Sequence, residues 1–101
     1  MRPGTQDEVW LVVEFDAAPD QVEALSALFD DVRLEVQANP DCLAFQLFAR
    51  ADRPDVIVAY EGWRNETVRQ AHLKDVSVQR FVAASSTVLS GPLRKMELRS
   101  L

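Results

Sequence analysis

A chain of 101 residues, 48% hydrophobic and 27% charged, is long enough for one domain with one core and too short for two. Its net charge is −5, with two basic against ten acidic side chains in residues 1–41 and nine against six in residues 42–101; scattered arginines on an acidic chain exclude the clustered positive surface that a phosphate backbone needs. No apolar run approaches the ~20 residues of a membrane helix, and the single cysteine and single histidine offer neither an internal disulfide nor a metal-ligand spacing.

The opening MRPGT lacks the apolar stretch of a signal peptide. The expectation is one domain over 1–101, with residues 1–7 as a flexible tail, in a reducing cytoplasm. No nucleic-acid or membrane partner is expected, and no metal or cofactor.

Glu8 to Phe15 (EVWLVVEF) is β-branched and aromatic and predicts a strand. Val9, Leu11, Val13 and Phe15 form one face, and Trp10 and Val12 make the other face apolar too, as in a central strand covered on both sides. Ala17-Ala18-Pro19-Asp20 breaks it. Asp20 with Glu23 predicts a capping box, followed by a helix whose stripe is Val22, Leu25, Phe29, Val32 and Val36. The helix stops at Asn39-Pro40, since a residue before proline disfavours helical angles.

Cys42 to Arg50 predicts a second strand, ADRPD a turn, and Val56 to Trp63 a third strand, apolar on both faces. Asn65 caps a helix over Glu66–Leu73. After a break near Lys74-Asp75, a second helical stretch runs from Val76 to Leu89 with Val78, Phe81, Val82, Ser85 and Leu89 inward. Ser90-Gly91-Pro92 is a stop signal, and Leu93 to Leu101 reads as an edge strand. The order βαββαβ is the split βαβ motif of a ferredoxin-like α+β fold with a four-stranded antiparallel sheet. Right-handed crossovers put strands one and three at its centre. The helices cover one face of that sheet; the other stays apolar and calls for a second copy, sheet on sheet.

The chemistry concentrates in YEGWRNETV and the Ala71-His72-Leu73 that follows. Glu61 and Trp63 share strand parity, and His72 arrives nine positions after the tryptophan on the next helix. His72 is the natural general base; the plainer reading is a helix histidine bonded to a local carbonyl. Trp63 is either core or a stacking platform whose N–H holds a ligand oxygen. Glu61 follows five apolar residues and needs a partner or a raised pKa; Glu14 poses the same question. Phe29, Phe45 and Leu47 are core residues that would double as pocket wall, and Cys42 is a small buried residue with nothing beside it to activate it.

Val12-Val13-Glu14 with Pro19, Asn39-Pro40-Asp41-Cys42, Tyr60-Glu61-Gly62-Trp63, Ala71-His72-Leu73 and Gly91-Pro92 together resemble the antibiotic biosynthesis monooxygenase family. The resemblance spans about residues 8–100. It implies a small cytoplasmic homodimer, a dimeric α+β barrel, and its nearest likeness is to the quinol-monooxygenase-like members, which use molecular oxygen without metal or flavin. The haem-degrading branch carries an asparagine on strand one, absent here; the branch that isomerises a signal sugar phosphate lacks the tryptophan that Trp63 supplies. The resemblance thus implies oxidation of a quinol or polyphenol, with His72, Trp63 and Glu61 at the chemistry and Glu14, Phe29, Phe45 and Phe81 around the substrate. An isomerase or cyclase using His72 for proton transfer, and a non-catalytic ligand-binding stress protein, are the alternatives on the same scaffold.

Overall fold

The computed structural model describes residues 7–101; apart from Asp7, the expected N-terminal tail lies outside them. In chain order the elements are β1 (Val9–Asp16), α1 (Val22–Ala38), β2 (Cys42–Ala49), β3 (Val56–Trp63), α2 (Glu66–Leu73), α3 (Val76–Ser85) and β4 (Arg94–Leu98). The sheet order is β2-β3-β1-β4 with every neighbouring pair antiparallel. This is the α+β ferredoxin-like fold, and the two strands that are apolar on both faces are the two central ones.

Alternation along the strands sorts the core. Leu11, Val13 and Phe15 of β1, Phe45 of β2, and Ile57, Ala59 and Trp63 of β3 turn to the helical side and are buried. Leu25, Phe29, Val32 and Val36 of α1 meet them, as the stripe predicts, with the half-buried Val22 at the margin. Phe15 and Phe29 meet edge to face at 4.9 Å, and Phe29 lies 4.6 Å from Phe81 of α3. Aromatic contacts of this kind fix the distance between helices and sheet.

Three local expectations are modified. Asp20 does not cap α1: it sits at φ 64, a left-handed conformation that aspartate tolerates better than most residues. Gln21 is the N-cap instead, with no side-chain capping bond. The helix α3 ends at Ser85 rather than near Leu89. The hydroxyls of Ser85 and Ser86 donate back to the carbonyls of Val82 and Ala83, an alternative to helix continuation that serine offers readily. The chain then turns so that Val88 is buried and its carbonyl accepts from the Ala18 N–H, while Leu89 bridges to Ala17. Val82, expected inward, faces the space between helices and sheet but is 55% exposed there.

The helix ends elsewhere follow the sequence. Asn65 accepts the Val68 N–H at 2.9 Å, and Asn39, before Pro40, is extended. On the side of the sheet away from the helices, Trp10 stacks on Tyr60 at 5.7 Å. Val12 pairs with Met96 and Trp10 with Leu98 across the β1–β4 ladder. Met96 and Leu98 are exposed, as is Phe48 opposite Val58. Nothing in the described chain covers this face.

Candidate functional site

Strand parity puts Glu61 and Trp63 on the helical side of β3. Glu61 pairs across the ladders with Leu11 on one side and Phe45 on the other, both buried. A carboxyl between two apolar neighbours loses water, and burial pushes its pKa up from 4.5. Two influences oppose that shift: a hydrogen bond from Trp63 and the positive charge of Arg69. The bond runs from Trp63 Nε1 to Glu61 Oε1 at 3.0 Å.

The Asn65 cap sets the phase of α2, and helical spacing brings Arg69 and His72 onto one face. His72 is 7% exposed and its ring lies 4.3 Å from the Trp63 ring at 33°. Among the described residues its nitrogens make no hydrogen bond, and the polar atoms sealed within the fold all have partners. Its neighbour Ala71 is exposed. Burial holds the His72 pKa below 6.5; Asp75 pulls the other way, and Arg69 adds to the lowering. The imidazole is therefore neutral near pH 7 and able to take a proton.

His72 and Glu61 face a cavity of about 230 Å³ between the sheet and the three helices, somewhat below the ~300 Å³ at which ligand clefts commonly begin. Phe29, Phe45 and Phe81 form its apolar walls with Leu11, Val13 and Phe15, and Arg69 and Lys95 add two cations. Glu61, His72 and the three phenylalanines thus meet at one cavity, as the sequence suggests.

Trp63 does not reach the wall. It is fully buried behind His72, and its N–H is already engaged by Glu61. Glu14 is also elsewhere. It pairs with Val58 on the opposite face of the sheet and forms ion pairs with Arg94 at 2.7 Å and Arg50 at 3.6 Å. Glu14 does not line this cavity, because it alternates with Val13 and Phe15, which define the helical side. Cys42 donates to the Ala44 carbonyl at 3.3 Å and burial raises its pKa, so the thiol is held in its unreactive form.

Two wall residues escaped the sequence reading, Arg69 and Lys95. Arg69 is detectable as the residue one helical turn before His72. Lys95 follows only once Met96 and Leu98 are known to face away from the helices. Among the described residues, no three His, Cys, Asp or Glu side chains converge on a metal-holding group, and no helix is long and apolar enough to cross a membrane.

Fold and cavity together define a small α+β domain built around a buried acid–indole–imidazole cluster. The family model described as antibiotic biosynthesis monooxygenase matches residues 8–84, and the chain belongs to that family. Solved structures repeat the fold at low identity. The protein PA3566 of Pseudomonas aeruginosa is similar over 96% of this chain and 97% of its own, at 21% identity and a TM-score of 0.88. Rv0793 of Mycobacterium tuberculosis shares 24% identity over 93% and 95%, with a TM-score of 0.86, and a protein of Nitrosomonas europaea 17% over 100% and 95%, with a TM-score of 0.90. No curated protein matches the sequence.

Proposed function

We propose that this protein is a monooxygenase that oxidises a quinol- or polyphenol-type aromatic with molecular oxygen and without a cofactor. The observation that carries the reading is His72: a neutral imidazole with unbonded nitrogens on the wall of an apolar cavity. Oxygen chemistry usually needs a metal or flavin to deliver electrons singly. A deprotonated quinol can deliver them itself, so the protein's task is to remove the hydroxyl proton, hold the anion and keep the reaction dry.

In this reading His72 takes the hydroxyl proton. The quinol anion passes one electron to oxygen, and the ring radical and superoxide join in a carbon–oxygen bond at a ring C–H carbon. Cleavage of the O–O bond leaves one oxygen on the ring and releases the other as water, taking back the proton from His72. Quinol plus oxygen becomes hydroxyquinone plus water, with all four electrons drawn from the substrate. The Phe29, Phe45 and Phe81 rings suit a flat substrate, and Trp63 acts from behind by fixing Glu61 and carrying the His72 ring.

Oxygen uptake with a panel of benzo- and naphthoquinols tests the proposal. Stoichiometric uptake that needs the folded protein supports it; quinol loss at an unchanged rate under argon overturns it. The opposed shifts on His72 and Glu61 favour a second reading, proton transfer between two atoms of one substrate. That isomerase would turn over equally well without oxygen.

We further propose that a second copy covers the face bearing Trp10, Val12, Tyr60, Met96 and Leu98, giving a sheet-to-sheet homodimer. Exposed apolar area of this kind supports an interface.

A further inference from the structure

The cavity wall reverses the charge balance of the chain. Acids outnumber bases 16 to 11 overall, yet Arg69 and Lys95 face Glu61 as the one acid on the wall among the described residues. His72 is neutral, and Glu61 is a half-buried carboxyl disfavoured as an anion. Arg69 and Lys95 therefore make the wall itself net basic, and their ion-pair partners, Glu66 and Glu97, lie off the wall and are exposed.

Arg69 is the more informative of the two cations. Its side chain is only 11% exposed, a rare state for arginine without a full set of partners. A guanidinium has five N–H donors. Among the described residues it makes one side-chain hydrogen bond, from Nη1 to Glu66 Oε2 at 3.2 Å. That oxygen also accepts from Gln70 at 2.6 Å, and Glu66 is 54% exposed, so the pairing is solvated and shared. Arg69 lines the cavity together with His72, so its further donors are available to a ligand there. The ammonium of Lys95 lies 3.6 Å from its acidic partner, Glu97, itself on the surface.

We infer that Arg69, supported by Lys95, is an anion-holding subsite, and that the ligand of this cavity is an aromatic acid: a flat apolar body with one carboxylate seated on the guanidinium. A carboxylate matches the planar fork of arginine with two parallel bonds, and an apolar body matches the phenylalanine walls. The inference rests on the reading of this cavity as the ligand site, and it narrows the proposed substrate from any quinol to one bearing an acid group.

The test is calorimetric binding of two size-matched probes, 2-naphthoate and its uncharged isostere 2-naphthamide, to the native protein and to Arg69→Gln and Arg69→Lys. The native protein should prefer the acid by about tenfold or more, the range of a charge-assisted pair. Arg69→Gln, which keeps good helix propensity, should abolish the preference while leaving amide affinity in place, and Arg69→Lys should keep part of it. Equal affinity for acid and amide in the native protein, a preference that survives Arg69→Gln, or binding of neither probe overturns the inference. The readout needs no turnover. If the acid preference holds and no quinol consumes oxygen, the monooxygenase reading falls and the anion subsite stands; if quinols are oxidised with no acid preference, the reverse is true.

Discussion

His72 rests on the face of Trp63, with ring centroids 4.3 Å apart, and Trp63 in turn is anchored through its N–H to Glu61. The indole is a support. It sets the position of the imidazole above it and of the carboxylate beside it, and it leaves the cavity to residues it holds in place.

Replacing His72 with alanine should therefore have two separable effects. Turnover on an accepted quinol should fall about a hundredfold or more, the usual contribution of a general base. Because the ring is buried against Trp63, stability should also fall, by about 1–3 kcal/mol. Added imidazole separates the two: it should restore part of the turnover in His72→Ala without raising its melting temperature. Full activity at a lowered melting temperature would make His72 a packing residue and sink the mechanism.

The pH dependence has a definite sign. The folded-state pKa of His72 lies below 6.5, so the folded protein binds its proton less readily than the unfolded chain. Stability from this residue is present above pH 6.5 and is lost as pH falls through the folded pKa. Glu61 works oppositely: its raised folded pKa gives stability that is present below pH 4.5 and lost as pH rises through the folded value. Melting temperatures of native protein and His72→Gln across pH 4–8 should diverge below 6.5, with the native protein falling more steeply, and the acid limb of kcat/KM should lie below 6.5 as well. Parallel melting curves would show that burial of His72 does not shift its titration.

Much of this is legible in the sequence. Val9–Phe15 and Val56–Trp63 are apolar on both faces, and two-faced strands belong in the middle of a sheet; the α1 stripe at 3, 4, 3, 4 spacing reads directly as buried. What sequence could not settle depends on partners distant in the chain. The end of α3 turns on serine hydroxyls taking their own helix carbonyls and on Val88 docking beside Ala18. Glu14 and Glu61 look alike as acids after apolar runs, yet their parity differs relative to the face the helices cover. Trp63 and its apparent freedom to stack on a ligand depended on what lay over it, which is His72.

Trp63→Phe should act mainly through Glu61. It keeps most of the ring and removes the donor, leaving a carboxyl between Leu11 and Phe45 with its bond lost. The expected cost is about 1–3 kcal/mol, and the Glu61 pKa should climb further, since the Trp63 bond lowers it. In the Glu61→Gln background the same change should cost less, with a coupling of about 0.5–3 kcal/mol in a double-mutant cycle. Additive costs would mean that the 3.0 Å contact contributes nothing beyond packing.

The uncovered sheet face predicts assembly. Light scattering at micromolar concentration should give about twice the 11.4 kDa chain mass. Met96→Glu should weaken that dimer, because it places a charge at the centre of an apolar patch made by Trp10, Val12, Tyr60 and Leu98. A folded native monomer would refute the sheet-to-sheet proposal while leaving the domain fold untouched.

The same face contains a close approach that only a glycine permits. A Cβ at Gly62 would lie 2.3 Å from the Trp10 ring, with two further ring atoms at 2.6 Å. The ring has little freedom to retreat, since it stacks on Tyr60 at 5.7 Å and its Nε1 reaches Glu8 at 3.3 Å. Gly62→Ala should thus expel Trp10 from its stack, at a cost of about 1–3 kcal/mol for overpacking, and alter the near-ultraviolet circular dichroism from the Trp10–Tyr60 pair. Gly91→Ala is the control, because nothing among the described residues lies within 4 Å of a Cβ there, and its stability should stay within about 0.5 kcal/mol of the native protein, as for surface changes generally. In a Trp10→Ala background the Gly62→Ala cost should disappear. If it persists there, the constraint at Gly62 lies in the β3 backbone rather than in the tryptophan above it.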